Sequence, residues 1–451
     1  MQKIKRIFIN IVIFVVTFLF MFTAGMIMIS DASLHDVFTS SRISALKDRP
    51  ENIKKDIFVD TTFLSATGGI TTLTINVLKN LVHRHEDWRF IITEHEGQYQ
   101  FKDFEKLSNV KIIKVSTCRS MPKIISLVEK LSSGIVRDKI SQILLYGNII
   151  FDDNVNLIWD PTGELCFIDS TIVPRVSTIH DLAWFEPNGS TFLFNFEKLK
   201  HLRWQTFEKT ARVSKKIITV SNFSKKRIIE QFNLPEDRVQ VIPIQLGKRV
   251  FAKYTEKEEL DIMKKYNIQR QKYFIFCSTW WKNKNHKNLM LAFEKFIRDN
   301  PATKLKLLIV GQHDDFDNID FWKIIKDETK KRMVIVGHVS DTELNIMLQN
   351  ALAFIHPSIY EGFGIPLVEA MSSGIPVACS NVASLPEVVG DAAIKFNPYK
   401  VDEIASAMQK LADDENLRKL LIQKGYEQVK QYENSDAMIE QYEKVFEEYM
   451  K

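Results

Sequence analysis

The sequence predicts an α/β protein built from two doubly wound halves that face each other across a cleft. Short β-rich runs alternate with amphipathic stretches in two series, and this alternation is typical of parallel sheets flanked by helices. A segment rich in Lys and Glu, residues 248–270, separates the two series. Because ligands collect at the carboxyl ends of strands in open α/β sheets, loops from both halves are expected to line the cleft.

Seven strands are predicted in the first half and six in the second. The runs that predict them are residues 57–60, 89–93, 110–115, 156–159, 176–180, 216–220 and 239–244, then 273–278, 304–310, 333–336, 352–355, 376–379 and 394–396.

The chain of 451 residues is long enough for two or three domains. Residues 7–29 are apolar almost throughout and as a helix would span roughly 34 Å, enough to cross a bilayer. We expect an uncleaved membrane anchor there, because no clean cleavage site follows it. The other predicted segments are a polar connector at 30–55, a first α/β domain at 56–247, a linker at 248–271, a second α/β domain at 272–432 and a C-terminal helix at 433–451 that docks on a domain.

Composition excludes some classes of function. The net charge is +5, but the 61 basic and 56 acidic side chains are interspersed, so no tract for binding nucleic acid stands out. The four cysteines, Cys118, Cys166, Cys277 and Cys379, are far apart, and three of them lie in apolar runs. This spacing favours buried thiols over a disulfide framework or a metal site.

The stretch from Ser358 to Gly374 is the most informative part of the sequence. It follows an apolar strand, and Gly362 and Gly364 form a turn before a helix that begins near Pro366. Amides at such a corner attract a phosphate or pyrophosphate. Glu361 would lie on the loop beside the phosphates. Glu369 lies about one turn inside the helix, where its carboxylate can accept hydrogen bonds from adjacent hydroxyls such as those of a ribose.

A second group of polar residues follows the first strand of the second half. Lys282, Lys284 and Asn285 lie at the start of a helix, where lysine is disfavoured by the helix dipole. A bound anion would remove this conflict.

The first half offers two further candidates. Gly68 and Gly69 follow the first predicted strand and precede a helical pattern, which is a weak signal for a phosphate loop. His180 and Asp181 end another strand, and a histidine there can donate or accept a hydrogen bond near neutral pH. Residues 220–226 also follow a strand and are interpreted as structural or as facing an acceptor.

The string from Ser358 to Gly374 closely resembles the donor-binding motif of the retaining glycosyltransferases of family 4, the group 1 glycosyltransferases, which have the GT-B fold. Residues 375–380 and 384–393 extend the resemblance, most closely to mannosyltransferase-like members. The resemblance implies transfer of a hexose from a nucleoside diphosphate sugar to a hydroxyl, with retention at the anomeric carbon. It also implies that the C-terminal helix crosses back onto the first domain.

The resemblance also implies roles for the candidate residues. Glu361, Lys284 and His180 are the expected catalytic residues: Glu361 binds sugar hydroxyls, Lys284 neutralises the donor diphosphate and His180 positions the sugar. Asp181 is expected to orient His180. The expected donor-binding residues are Gly362, Phe363, Gly364, Glu369 for the ribose, Lys282 as a second charge in place of the family's arginine, Asn285, Gly68, Gly69 and Asp181.

No metal is expected to take part, and the nucleotide sugar is expected as co-substrate without another cofactor. The acidic run Asp314-Asp315-Phe316-Asp317 is interpreted as a decoy, because Lys284 already offers a cation for the diphosphate.

The resemblance favours GDP-mannose as the donor, with a UDP-hexose next, and a glycan or lipid-linked acceptor. Two other hypotheses are a nucleotide-sugar epimerase of similar fold and a catalytically inactive scaffold in a glycan assembly complex. The anchor argues against the first, and the intact set Glu361, Glu369 and Lys284 argues against the second.

The side of the membrane on which the catalytic domains lie is left open. Lys3, Lys5 and Arg6 precede the apolar segment while Asp31 and Asp36 follow it, which predicts a cytoplasmic N-terminus with the rest across the membrane. In bacteria the supply of nucleotide sugars argues for the opposite orientation.

Overall fold

The computed structural model describes residues 52–61, 64, 68–95, 100–115, 155–163, 173–185, 197–245, 254–311 and 320–450. Within these ranges, no helix combines the length and the apolar content needed to cross a bilayer. The predicted anchor at 7–29 lies outside the described residues, as do the acidic run 314–317 and the predicted boundary near residue 247.

The first sheet contains seven parallel strands in the order β3-β2-β1-β4-β5-β6-β7. Their bounds are β1 Lys55–Val59, β2 Trp88–His95, β3 Val110–Val115, β4 Leu157–Asp160, β5 Arg175–Thr178, β6 Lys216–Thr219 and β7 Val239–Val241. The described helices of this half are α1 Gly69–Arg84, α2 Glu197–Val213 and α3 Asn222–Phe232.

The second sheet contains six parallel strands in the order β10-β9-β8-β11-β12-β13. Their bounds are β8 Tyr273–Cys277, β9 Lys306–Val310, β10 Met333–Val336, β11 Ala353–His356, β12 Val377–Ser380 and β13 Ala393–Phe396. The described helices that follow α3 are α4 Glu256–Lys265, α5 His286–Asp299, α6 Asp327–Lys330, α7 Asp341–Gln349, α8 Ile365–Ser372, α9 Leu385–Val389, α10 Val401–Asp413, α11 Glu415–Val429 and α12 Ser435–Tyr449.

The predicted fold class of two doubly wound α/β halves is confirmed, with every predicted strand present in the predicted order. The run 239–244 is predicted too long, because the strand ends at Val241. Pro243 has no N–H to donate to a strand ladder, which accounts for the early end. Strands such as Tyr273–Cys277 read as continuous apolar runs because helices cover both faces of a parallel sheet.

Each sheet reverses its strand order at one point, and the reversals place the cleft. In the first sheet β1 pairs with both β2 and β4. In the second sheet β8 pairs with both β9 and β11. Crevices form beyond the carboxyl ends of strands at such points. The loops that follow β1, β4, β8 and β11 are therefore the ones placed to bind a ligand.

The C-terminal helix α12 packs on the first sheet although it follows the second in sequence. Trp159 of β4 has its ring centroid 5.8 Å from that of Tyr442 and 5.5 Å from that of Phe446. Glu443 accepts from His85 Nε2 at 3.1 Å and lies 3.5 Å from the Arg84 guanidinium. The two halves are thus joined by a fully buried aromatic contact as well as by the chain between them.

We expect Phe446→Ala to lower the free energy of unfolding by about 3–5 kcal/mol, because it removes a fully buried ring and leaves a cavity beside Trp159. Denaturant unfolding followed by tryptophan fluorescence measures this loss. Leu420→Ala is the matched control, since Leu420 is 49% exposed, and we expect a change of under about 1 kcal/mol. Equal losses of unfolding free energy for the two substitutions would show that Phe446 of α12 contributes little to the packing against Trp159.

Candidate active site

Two loops of the second half meet because their strands are neighbours. β8 and β11 pair with Ala353 opposite Phe274, so the loops that follow both strands leave the same edge of the sheet. The first loop carries Lys284 in a 3₁₀ turn, Lys282–Lys284, and the second carries Glu361. Lys284 Nζ donates to Glu361 Oε1 at 2.7 Å, although the residues are 77 positions apart. The predicted cation and carboxylate are thus in direct contact.

Asparagine side chains fix the first of these loops against the second. Asn283 Nδ2 donates to the Tyr360 carbonyl at 3.2 Å, and the Asn283 carbonyl accepts from Ile359 N at 2.7 Å. Asn285 has a left-handed φ of 60°, and its Nδ2 donates to the carbonyls of Pro357 and Pro398 at 3.0 and 2.8 Å. Both amide hydrogens of Asn285 therefore hold the loop, and its backbone N–H and carbonyl are bonded to Lys282 and Leu289, which leaves its Oδ1 for the predicted donor contact.

Glu361 is held in its ionised form. Burial alone raises the pKa of its carboxyl, but the Lys284 charge and the hydrogen bond from His356 outweigh burial and hold the pKa below the usual range. His356 Nε2 lies 3.3 Å from the same oxygen, Oε1. Burial lowers the pKa of His356 and outweighs the effect of Glu361, so this imidazole is neutral and donates its Nε2–H. The site therefore contains a compact ion pair supported by a neutral hydrogen-bond donor.

The corner after Glu361 has the predicted form of a glycine loop that leads into a helix. Gly364 adopts a φ of 103° at the start of α8, a conformation that favours glycine, and no side chain among the described residues caps that helix start. Ser384 Oγ lies 2.9 and 3.0 Å from the carbonyls of Glu361 and Phe363, so its one hydrogen is shared between them. The Phe363 ring is buried edge-on against Tyr432, so its side chain anchors the corner.

Glu369 is buried, whereas Lys282 is exposed. Glu369 is in the second turn of α8 and is 7% exposed. Burial raises the pKa of the Cys277 thiol, and the nearby Glu369 charge raises it further, so Glu369 lies near the end of β8. Lys282 is exposed at the edge of the loop. A ribose contact for Glu369 and a phosphate contact for Lys282 stay predictions.

The first half contributes a glycine loop and a strand end. A Cβ added to Gly69 would lie 3.3 Å from Ile365 Cδ1, so the start of α1 approaches the start of α8 across the cleft. His180 Nε2 lies 2.9 Å from the Pro161 carbonyl, to which it donates. Burial lowers the pKa of His180 to about 4. At neutral pH the imidazole is therefore uncharged and fixed in orientation.

The prediction that Asp181 orients His180 is wrong. Asp181 Oδ1 instead accepts from Ala183 N at 2.9 Å, at the start of a 3₁₀ turn, while the Pro161 carbonyl holds the histidine. The two neighbouring side chains therefore have different backbone partners. Burial raises the pKa of Asp181, and the Glu361 charge raises it further, so the side chain lies near the ion pair.

The two halves approach each other closely at Gly362. A Cβ on Gly362 would lie 2.8 Å from both the His180 carbonyl and Asp181 Oδ2, so this position has room for glycine alone. The Gly362 carbonyl accepts from Ser221 Oγ at 2.7 Å. Ser221 also caps α3 by accepting from Ser224 N at 3.1 Å. The segment 220–226, interpreted from sequence as structural or facing an acceptor, is thus a contact between the halves.

Glu387 forms a second contact between the halves that the sequence reasoning missed. Its carboxylate accepts from Asn222 N at 2.8 Å, Asn222 Nδ2 at 2.8 Å and Phe223 N at 3.0 Å, at the start of α3. An anion at this end of a helix is favourable, and the first turn of α3 has no acidic residue of its own. The missing acidic residue is the sequence signal that a carboxylate from elsewhere could bind this helix start, but it does not show that Glu387 is that carboxylate.

We expect Gly362→Ala to open the cleft, because the added methyl would overlap the backbone of His180. The radius of gyration should rise in small-angle X-ray scattering, and the amides of Asn222 and Phe223 should lose protection from hydrogen exchange. Accommodating the methyl without opening would cost about 1–3 kcal/mol of stability.

Gly425→Ala is the matched control, since a Cβ there would lie 3.4 Å from Met371 Cβ at an ordinary contact distance. If both variants keep the scattering and exchange of the unmodified chain, the close approach at Gly362 is not a feature of the protein in solution.

Sequence and structure comparisons identify the family and the fold of the chain. Residues 258–428 match the family model described as glycosyl transferases group 1, and residues 155–244 match the model described as glycosyltransferase family 4. The fold also resembles that of HepE from Anabaena in complex with UDP and glucose, with a TM-score of 0.65 at 16% identity over 87% of this chain and 99% of that chain. This likeness supports the GT-B fold.

Two curated proteins show the relationship in sequence. The O-antigen chain mannosyltransferase RfbU of Salmonella typhimurium is 29% identical over 44% of this chain, and the match spans about half of that protein, 51%. The O-antigen chain mannosyltransferase B of Escherichia coli is 32% identical over 274 residues, which are 60% of this chain and 69% of that protein. Together with the family matches, this similarity shows that the chain belongs to the group 1 glycosyltransferases of family 4.

Proposed function

We propose that this glycosyltransferase moves a hexose from a nucleoside diphosphate sugar to a hydroxyl of a glycan or lipid-linked acceptor, with retention at the anomeric carbon. The observation that carries the proposal is the ion pair of Lys284 and Glu361, which lies beside Gly362 where the two halves meet. A cation, a carboxylate and a glycine corner at one point are suited to a diphosphate and a sugar together.

Transfer is driven in this proposal by stabilising the departing diphosphate. Lys284 and the amides at the start of α8 receive the charge that develops as the bond from the anomeric carbon to the diphosphate oxygen breaks. The acceptor oxygen bonds to the same face of that carbon, and the hydroxyl proton passes to the departing diphosphate. Glu361 binds the sugar hydroxyls, Glu369 holds the ribose, and His180 positions the sugar as a neutral hydrogen-bonding group.

The proposal includes transfer without a divalent metal, since Lys284 supplies a positive charge where the diphosphate would lie. Activity that persists in EDTA and is unchanged by added Mn²⁺ or Mg²⁺ supports this step. Activity that disappears with EDTA and returns with one of these ions contradicts it.

GDP-mannose is the proposed donor. The support is that the relatives in Escherichia coli and Salmonella typhimurium are described as O-antigen chain mannosyltransferases. A UDP-hexose is the second candidate, because the Anabaena protein of the same fold is described in complex with UDP and glucose. The same relatives make a growing glycan the preferred acceptor.

A donor screen tests these assignments. A ligand that binds the folded state raises its stability, so GDP-mannose should raise the unfolding temperature more than UDP-glucose, and GDP should be released when a mannan acceptor is added. Release of a nucleotide together with an extended acceptor separates a transferase from an epimerase, which would convert the donor alone. A donor that binds without turnover would favour an inactive scaffold.

A membrane anchor at residues 7–29 remains part of the proposal, with the side of the membrane left open. Its support is the apolar composition of that segment. Retention of the full chain in washed membranes, and its release when the chain starts at Asn52, tests the anchor. Equal partition of both forms would contradict it.

We expect Lys284→Met to lower kcat/KM by roughly 10²–10³-fold, because the departing diphosphate loses its buried cation. Glu361→Gln should lower kcat by roughly 10²-fold, since a neutral amide no longer binds the sugar hydroxyls as a charged acceptor. Steady-state transfer with a saturating acceptor measures both effects.

The control is Lys287→Met, because Lys287 is an exposed cation in the first turn of α5 and makes no ion pair among the described contacts. Its kcat/KM should stay within about twofold of the unmodified enzyme. Full activity of both Lys284→Met and Glu361→Gln would disprove the assignment of the site.

A further inference from the structure

His356 is buried directly beneath the ion pair. It is the last residue of β11, it is 0% exposed, and its ring lies 5.6 Å from Phe276 and 5.8 Å from Phe354 between centroids. Its backbone carbonyl accepts from Ser380 Oγ at 3.3 Å. A strand and two aromatic rings thus fix the direction of the imidazole.

Glu361 receives both of its side-chain hydrogen bonds at one oxygen. Lys284 Nζ lies 2.7 Å and His356 Nε2 lies 3.3 Å from Oε1. Oε2 makes no hydrogen bond to any residue that the structure describes. The carboxylate is therefore held from one side, which leaves Oε2 for a ligand hydroxyl.

Lys284 has two tasks in the proposed reaction that conflict. It binds Glu361 in the structure, and it must also neutralise the donor diphosphate. A lysine ammonium that turns to the diphosphate weakens its bond to the carboxylate. Glu361 is 12% exposed, so loss of this partner would leave a buried carboxylate with fewer hydrogen bonds at the moment when its position matters. His356 is the donor that stays in place.

We propose that His356 is a positioning residue that holds Glu361 through Oε1 while Lys284 turns to the donor diphosphate. The inference rests on the proposed function, since it assigns a role within the same reaction. His356 does not touch the substrate in this scheme. It acts by keeping Oε2 of Glu361 aimed at the sugar.

The unsatisfied atom of the ring supports a functional role over a packing role. Nδ1 of His356 is buried and has no hydrogen-bond partner in the part of the chain that the structure describes, although most buried polar atoms in proteins have one. An aliphatic side chain of similar size would fill the space between the rings without this cost. The imidazole is therefore a poor choice for packing and a suitable one for donating to Glu361.

The test compares His356→Leu and His356→Gln with the unmodified enzyme. Leucine removes the donor, and glutamine places an N–H near the position of Nε2. We expect His356→Leu to stay folded, with the same unfolding temperature or a higher one, and to lose about tenfold or more in kcat. Its KM for the donor should change by less than about threefold, because Lys284 still binds the diphosphate. His356→Gln should recover most of the lost kcat.

The control is His286→Leu. His286 is also a buried histidine with a lowered pKa caused first by burial, but it stacks on Trp280 and lies 3.2 Å from Ser278 Oγ, with no contact to Glu361. Its kcat should stay within about threefold of the unmodified enzyme. In a Glu361→Gln background, His356→Leu should have little further effect on kcat, since no carboxylate is left to position.

Several outcomes would overturn the inference. They are an unchanged kcat in folded His356→Leu, equal losses for the leucine and glutamine variants, or an undiminished effect of His356→Leu in the Glu361→Gln background. If the leucine variant does not fold, the glutamine variant and its combination with Glu361→Gln decide. The inference fails and the proposed function stands if the unmodified enzyme transfers sugar, Lys284→Met abolishes that transfer and His356→Leu leaves it unchanged. An unmodified enzyme without transfer defeats both.

Discussion

The ion pair between Lys284 and Glu361 is the interaction on which the arrangement of the site depends. The two side chains are 16% and 12% exposed, so each charge relies on the other in place of water. Removing one partner of such a pair costs about 3–5 kcal/mol because a buried charge is left without compensation. The pair therefore couples the loops after β8 and β11, and the hydrogen bonds of Asn283 and Asn285 reinforce that coupling. The Lys284–Glu361 ion pair thus sets the positions of the two loops that a bound anion would contact.

Closure of the cleft follows from the same corner of the chain. Gly362 follows Glu361 directly, and its missing Cβ lets Ser221 of the first half approach to hydrogen-bonding distance of the Gly362 carbonyl. Glu387 then occupies the start of α3, where helix amides and dipole favour a negative charge. The position of the Glu361 carboxylate and the contact between the halves are therefore linked through one peptide segment. A change in the distance between the halves would therefore move Glu361, because Gly362 is the next residue in the chain.

The histidines of the site contribute hydrogen bonds without adding charge. Burial lowers the pKa of His180 to about 4, and it lowers the pKa of His356 despite the neighbouring carboxylate. Neutral imidazoles keep their donor and acceptor nitrogens fixed without competing with Lys284 for an anion. The positive charge of the buried site is thus concentrated on one ammonium group. This concentration suits a function in which charge develops at a single departing group.

The sequence by itself determined which segments form strands, the two halves and the charged and glycine residues at the carboxyl ends of β8 and β11. These features are local: strand and helix periodicity, the glycine corner before α8, and the spacing from Glu361 to Glu369 can be read within short windows. The tertiary structure decided which groups hold one another. Pro161 rather than Asp181 holds His180, His356 lies under Glu361, and Glu387 caps α3. Such contacts join residues through strand order and the distance between the halves, and neither is encoded in the spacing of nearby residues.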